Sequence, residues 1–462
     1  TRIELSIVNK YQNFYFIGLG GSGMSALARF FHANGKNVLG YDKTPTKLTA
    51  QLGFEGIDIS FEDVIDEKIV AFDKESTLVI YTPAIKKLAI LDYFASESFE
   101  ILKRAKVLGL ITENTDCIAV AGTHGKTTTS TLIAHLCKEA NLPSSAFLGG
   151  ISENFKSNFD YNGNQFSVVE ADEYDRSFLN LSPDWAVVTS IDADHLDIYG
   201  DRVQIEDGFR QFASLVPNDN QLFVRKGIAI GREHLTYAVN EEADYYSDNL
   251  RMDHDKIYFD FHTPTEEIDD FVWEIPGIHN VENATVALAI LSNLGVDFET
   301  LKKAIASFKG IKRRYTKHIF DNGKIYIDDY AHHPTELNAV IGSIKTFYPT
   351  KKLLVVFQPH LFSRTRDFAE DFARSLEKAD DLLLLDIYPA RELQENYEGI
   401  TSAWLSDKIE IENKKVCTLQ ETFELIKEKE FDILLTVGAG NIDTLYDGIV
   451  EWLPNLEFKI KN

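Results

Sequence analysis

The chain has 462 residues, 44% of them hydrophobic and 26% charged, with a formal net charge of −25. At roughly 150 residues per domain this length predicts about three domains, and the acidic balance excludes a surface that tracks nucleic acid or an anionic membrane, since both need clustered Lys and Arg. The three cysteines, Cys117, Cys137 and Cys417, give neither a disulfide framework nor a metal-ligand spacing, and no apolar run reaches the ~18 residues of a membrane span, so a soluble cytoplasmic protein is expected.

The first unit reads "FYFIGLGGSGMSALARFFHANG", an apolar stretch that runs through a glycine turn into a helical pattern. Gly18, Gly20 and Gly23 fit G-x-G-x-x-G around Gly21 and Ser22, and Asp42 ends the next strand, "NVLGYD". Amides at a helix N-terminus accept any diphosphate, so the loop predicts a pyrophosphate with attached ribose more securely than it predicts NAD. A later strand, "TLVIYTPAI", and the segment "KRAKVLGLITENTD" bring the chain to a domain boundary near residue 110.

The second unit opens with "CIAVAGTHGKTTTSTLIAHLCKEA". A strand ending at Ala121 feeds Gly122, Thr123, His124 and Gly125, then Lys126, Thr127 and Thr128 at the start of a helix. The strict phosphate-loop pattern would need glycine where Val120 stands. The physics is nevertheless intact: turn amides cradle phosphates, Lys126 brings charge to the β- and γ-phosphates, and Thr127 offers a hydroxyl to Mg²⁺. Next comes "VVEADEYDRSF", in which Glu170 closes a buried strand ahead of Asp172, Glu173 and Asp175. A carboxylate at the end of a core strand in such a domain is where Mg²⁺ is expected, and His195, after the following strand, is either a structural histidine or, beside Glu170, a ligand for a second ion. A β-rich insertion around "YYSDNLRMDHDKIYFDFH" and helices in "NVENATVALAILSNLG" and "FETLKKAIASF" complete this unit.

The third unit begins after "KGIKRRY" and alternates strands with helices through "KIYIDDYAHHPTELNAVIGSIK", "KLLVVFQPHLFSRTRDFAEDFARSL", "DDLLLLDIY" and "DILLTVGAGNI". Here His332, His333, His360, Arg364 and Arg366 form a group of proton donors and positive charges suited to a carboxylate ligand. The mixed acidic and basic neighbours argue against zinc, and no G-x-S-x-G elbow is present. Strand and helix alternation throughout implies an α/β protein with parallel sheets and ligands at the carboxyl ends of the strands.

Taken in order, "GLGGSGMSAL", "GTHGKTTT", "EADE", "DADHLD", "GIHNVENATVA", "KRRY", "DDYAHHPTE", "FQPH" and "VGAGNI" resemble the Mur ligases over nearly the whole chain. The resemblance implies a Rossmann-like UDP-sugar domain over residues 1–110, a central P-loop ATP domain over 111–311, and a C-terminal Rossmann-like domain over 312–462 that binds the amino acid and closes the ATP site. It implies an ADP-forming ligase that joins L-alanine to the lactyl carboxylate of UDP-N-acetylmuramate through an acyl phosphate, the first peptide step of peptidoglycan precursor synthesis. ATP and two Mg²⁺ ions, with Mn²⁺ able to substitute, are the implied cofactors, and a monomer or weak homodimer the implied state.

Residue by residue, the resemblance gives Gly18, Gly20, Gly21, Ser22, Gly23 and Asp42 to the UDP-sugar, and Gly122 to Thr128 to ATP. Thr127, Glu170 and His195 fall to the metals, and His279, Asn280 and Asn283 to adenine and nucleotide ordering. Arg314 and Asp329 complete the ATP site when the domains close, and Tyr330, His332, His360 and Arg364 receive the amino acid. His195 and His332 are the side-chain candidates for taking the amine proton, with a water-mediated route equally open. Two departures stand out. From Leu196 to Arg225 there is no lysine, where several sibling ligases carry a carbamylated one, and Leu361 occupies a place where some relatives have arginine. The rival readings are a ligase that attaches a preformed peptide to the same sugar nucleotide, an NAD-dependent oxidoreductase, and a catalytically silent nucleotide-binding module.

Overall fold

Strand β1 (Asn13–Ile17) is apolar along its length rather than in alternation because it is covered on both faces, as parallel strands are. It is central in an all-parallel sheet with β2 (Asn37–Tyr41), β3 (Asp58–Ser60), β4 (Thr77–Tyr81) and β5 (Glu100–Lys103), in the order β3-β2-β1-β4-β5. Strand order reverses at β1, so the crevice for a ligand opens at its carboxyl end, where the glycine turn leads into the helix Ser22–Ala33. The computed structural model describes residues 6–191 and 202–457.

The second sheet has ten strands: β6 (Asp116–Ala121), β7 (Ser144–Ser152), β8 (Ser157–Tyr161), β9 (Phe166–Glu170), β10 (Trp185–Val188), β11 (Leu222–Arg225), β12 (Leu235–Val239), β13 (Tyr245–Asp253), β14 (Lys256–His262) and β15 (Glu267–Trp273). Its order is β15-β14-β13-β12-β11-β10-β6-β9-β7-β8. The expected β-rich insertion is an antiparallel extension, β13 to β15, continuous with the parallel strands. Val120 lies inside β6, fully buried and in register with Val187 and Glu170. The phosphate turn therefore starts after the strand, and a glycine at 120 would have no turn to serve.

The first two sheets share one core. Phe14 and Phe16 from the first, with Phe31 of its helix, belong to the same buried cluster as Ala119 and Val169 from the second, with Phe212 of the helix Arg202–Ser214. Val107, Leu108 and Ile111 of the helix Arg104–Thr112, which runs across position 110, join it too. Arg29 ties the sheets further: its guanidinium pairs with Glu55 at 2.9 Å and donates to Ser157 and Asn158, both at 3.0 Å. Residues Thr1–Lys309 accordingly make one compact unit and Gly310–Asn462 another.

The second unit carries β16 (Thr316–Ile319), β17 (Ile325–Asp329), β18 (Leu353–Phe357), β19 (Asp381–Leu385), β20 (Lys414–Cys417) and β21 (Ile433–Val437), ordered β16-β17-β21-β18-β19-β20. Only β16 runs antiparallel to its neighbour. Helices cover both faces, giving separate apolar clusters on the two sides. The fold is thus α/β with three sheets, as the alternation implied, and no helix among the described residues is long and apolar enough to cross a membrane.

Candidate active site

At the end of β6, Gly125 sits at the N-cap of the helix Lys126–Glu139 with φ 79°, a left-handed conformation that a side chain would resist. Its neighbours fix the turn. Thr123 Oγ1 and Ser190 Oγ lie 3.0 Å apart, Ser190 Oγ accepts the His124 N–H at 2.9 Å, and the Thr189 hydroxyl donates to the His124 carbonyl. The first-turn amides of this helix face the turn, an arrangement that attracts phosphate.

Lys126 Nζ donates to the Gly122 carbonyl at 3.2 Å and to both carboxylate oxygens of Glu173, at 3.0 and 3.2 Å. Thr127 Oγ1 donates to Glu170 Oε1 at 2.8 Å, and the Gly149 N–H donates to Glu170 Oε2 at 2.8 Å. Thr127 and Thr128 are buried. On the helix Ile278–Asn293, Asn283 Nδ2 donates to Asn280 Oδ1 at 3.4 Å, and a side chain at Gly125 would meet Asn283 Oδ1 at 3.0 Å. His279 is held neutral more strongly than usual, first by burial and then by the neighbouring His124. His195 lies outside the described residues.

At the first sheet, Asp42 Oδ2 accepts the Gly20 N–H at 2.7 Å and Oδ1 accepts the Thr44 N–H at 3.0 Å, so this carboxylate is tied to the glycine turn. The Ser22 carbonyl accepts from Asn158 Nδ2 at 2.7 Å, which anchors the turn to the second sheet. Arg104 reaches the same place: a side chain at Gly23 would meet its Nη1 at 2.9 Å. A cation beside helix-terminal amides completes an anion cradle.

In the second unit, Asp329 ends β17 with its carboxylate turned onto the N–H groups of Tyr315 and Ala331, both at 2.8 Å. The residue keeps some exposure, but its carboxyl group is desolvated, which pushes its pKa up to about 6 against the opposing effect of these amides and of Arg314. The adjacent Arg313 takes the buried position instead of Arg314: it pairs with Asp328 at 3.0 Å and donates to the Gly438 carbonyl at 2.8 Å.

Around the carboxyl end of β18, His332 and His360 lie 6.0 Å apart between ring centres. His332 Nδ1 is 3.1 Å from the Tyr330 carbonyl, and His360 Nδ1 accepts from Arg364 Nη1 at 3.1 Å. Burial, reinforced by Arg364, lowers the His360 pKa to about 4, and burial likewise lowers that of His332. The cluster therefore differs from a set of proton donors: near neutral pH the imidazoles are proton acceptors, and Arg364 carries the charge. His333 caps the helix Pro334–Phe347 and packs on Phe368, and Arg366 pairs with Asp367, so these two are engaged elsewhere. Leu361 adopts φ 71° at the start of the helix Phe362–Asp367, a conformation unfavourable for a bulky residue.

Four residues at these sites carried no distinctive sequence signal. Glu173 sat in an acidic run that reads as solvated, Gly149 in an ordinary apolar strand, Arg104 in a lysine-rich segment and Ser190 after a strand. Only the register of β6, β7, β9 and β10 brings three of them to the phosphate turn.

A glycine cradle on one parallel sheet and a phosphate turn with a lysine and an acidic strand end on the next give the first unit the features of a nucleotide-binding α/β protein. The chain belongs to the Mur ligase family: residues 13–115 match the Mur ligase family catalytic domain, 120–291 the Mur ligase middle domain, and 313–440 the Mur ligase glutamate ligase domain. It is 51% identical over 436 residues to the UDP-N-acetylmuramate–L-alanine ligase of Flavobacterium psychrophilum, covering 94% of this chain and 96% of that one. It is 43% identical over 453 residues to the ligase of the same name from Porphyromonas gingivalis, covering 96% and 99%. Among solved structures it resembles a UDP-N-acetylmuramate-alanine ligase from Thermotoga maritima, with TM-score 0.78, 26% identity and coverage of 95% and 98%. A murein peptide ligase from Psychrobacter arcticus, at TM-score 0.63 and 22% identity over 97% of this chain and 100% of that one, shares the fold.

Proposed function

We propose that this protein joins L-alanine to the lactyl carboxylate of UDP-N-acetylmuramate, forming ADP and phosphate, in the cytoplasmic assembly of peptidoglycan precursors. The observation that carries the reading is the pair of anion cradles on two sheets of one unit, at Gly18–Gly23 and at Gly122–Lys126. An NAD-dependent oxidoreductase has a use for the first alone, and the relatives named UDP-N-acetylmuramate–L-alanine ligase are similar along almost their whole length.

The domain of residues 1–110 takes the UDP part on the Gly18, Gly20, Gly21, Ser22 and Gly23 turn, with Asp42 toward ribose or base and Arg104 as counter-charge. The domain of residues 111–311 holds the triphosphate on Gly122, Thr123, His124, Gly125, Lys126, Thr127 and Thr128, with His279, Asn280 and Asn283 toward adenine. In the domain of residues 312–462, Arg314 and Asp329 serve the nucleotide, and Tyr330, His332, His360 and Arg364 receive the alanine.

Thr127 and Glu170 present hard oxygen donors 2.8 Å apart beside the phosphate turn, which fits Mg²⁺, and His195 is assigned to a second ion. When bound, Mg²⁺ neutralises charge on the phosphates and on the attacking carboxylate. Lys126 adds positive charge at the γ-phosphate, so that the lactyl carboxylate can attack in line and expel ADP, leaving an acyl phosphate. Arg364 orients the alanine carboxylate, and the amine attacks the acyl carbon to release phosphate. His332, uncharged near neutral pH, is the acceptor this cluster offers for the amine proton.

Incubation with UDP-N-acetylmuramate, ATP and Mg²⁺ tests the reading through phosphate release. Release that depends on L-alanine is expected. Release only with a preformed tripeptide would transfer the protein to the peptide-recycling ligases, and NADH oxidation without release would end the proposal.

A further inference from the structure

We infer that Glu173 is a positioning residue that holds the phosphate-loop lysine in reserve, and that a bound triphosphate must take Lys126 away from it. The inference rests on the ATP-dependent reading above. The Lys126 ammonium lies 3.0 and 3.2 Å from the two Glu173 oxygens, close enough in angle to share one N–H, and 3.2 Å from the Gly122 carbonyl. A phosphate that draws this ammonium toward itself therefore competes with the Glu173 carboxylate for its charge. The pair is also shielded from solvent, with side-chain exposures of 19% for Lys126 and 10% for Glu173, so it is stronger than a surface ion pair.

Glu173 is not free to follow the lysine. Its carbonyl accepts the Arg176 N–H at 3.0 Å, Asp172 Oδ1 accepts the Tyr174 N–H at 3.0 Å, and Asp175 and Arg176 form a left-handed turn with φ 50° and 53°. Phe178, just beyond, is buried and stacked on Phe212 at 5.1 Å between ring centres. The backbone that carries Glu173 is thus anchored to the core, and its side chain is shorter than that of the lysine. Glu170 has a separate task at Thr127 and Gly149. Glu173 therefore opposes any ligand that claims Lys126 and leaves unaffected a nucleotide too short to reach it. It sets a threshold that a β,γ-phosphate pair overcomes and a monophosphate never meets.

The test compares wild type with Glu173→Gln and Glu173→Asp by calorimetry, titrating MgATP, AMP and UDP-N-acetylmuramate into the whole protein. Glu173→Gln should tighten MgATP about tenfold, the scale expected when a shielded ion pair no longer has to be broken. AMP and UDP-N-acetylmuramate should change less than about twofold. Glu173→Asp, with its carboxylate drawn back by one methylene, should fall between, and KM for ATP should drop in both variants more than kcat does. Unchanged or weaker MgATP binding, with UDP-N-acetylmuramate binding intact, would overturn the inference, because Glu173 would then support Lys126 in the complex. If Glu173→Gln does not fold, Glu173→Asp and a crystal structure with a non-hydrolysable ATP analogue decide: a Lys126–Glu173 pair still closed in that complex rejects it. Failure of the wild type to bind MgATP at all would instead reject the ATP-dependent reading.

Discussion

Gly149 shows how closely single atoms are fitted around the Glu170 carboxylate at the end of β9. A Cβ at this position would fall 2.2 Å from Glu170 Oε2, so Gly149→Ala must push that carboxylate away from Thr127. Turnover should fall at least about tenfold, with partial recovery at high Mg²⁺ and an almost unchanged thermal midpoint, because a misplaced ligand costs far more rate than stability. Equal activity at all Mg²⁺ concentrations would show that Glu170 does not act on the ion. Asp329 offers a second residue-level check. Its folded pKa of about 6 lies above the ordinary 3.8, so between these values the folded protein holds a proton that the unfolded chain has lost. Its contribution to stability therefore declines as pH rises through that window, and is lost above it. Carboxyl carbon NMR should give a midpoint near 6; a midpoint near the ordinary carboxylate value of about 4 would contradict the desolvation described above.

Among elements, Arg29 joins the helix Ser22–Ala33 to strand β8 beside the Asn158–Ser22 bond and the Phe30–Phe159 contact. Arg29→Ala should destabilise the first unit by about 2 kcal/mol, below the range for a fully buried pair because Glu55 keeps access to water. Chemical denaturation of wild type and variant measures it, and a change within error would show that the remaining contacts suffice. The elements themselves were legible because continuous apolar runs such as "CIAVA", "LLVVF" and "ILLTV" cannot face water on either side, and because glycine turns follow the first and third at their carboxyl ends. Contacts across elements were not. Nothing in "KRRY" tells that Arg313, rather than Arg314, enters the interior to meet Asp328. The histidine-rich stretch equally hid the state of His332, which is set first by burial, against the opposing effects of Glu336 and the Tyr330 carbonyl.

For the molecule as a whole, the two anion cradles predict separable losses. Lys126→Ala should abolish turnover, to below about a hundredth of wild type, while leaving UDP-N-acetylmuramate affinity within about twofold. Arg104→Ala should do the reverse at the binding level, weakening the UDP-sugar about tenfold or more and sparing MgATP. Isothermal titration of each variant with each ligand checks both, and parallel loss of the two affinities would show that the sheets do not hold separate sites. The helix Arg104–Thr112 sets a different limit on this architecture. Val107, Leu108 and Ile111 are embedded in apolar material supplied by both the first and the second sheet. The two cradle-bearing sheets therefore cannot be traded as interchangeable modules between proteins: grafting either alone would expose the greasy half-surface that the other conceals, and whatever recombines at this seam must carry both.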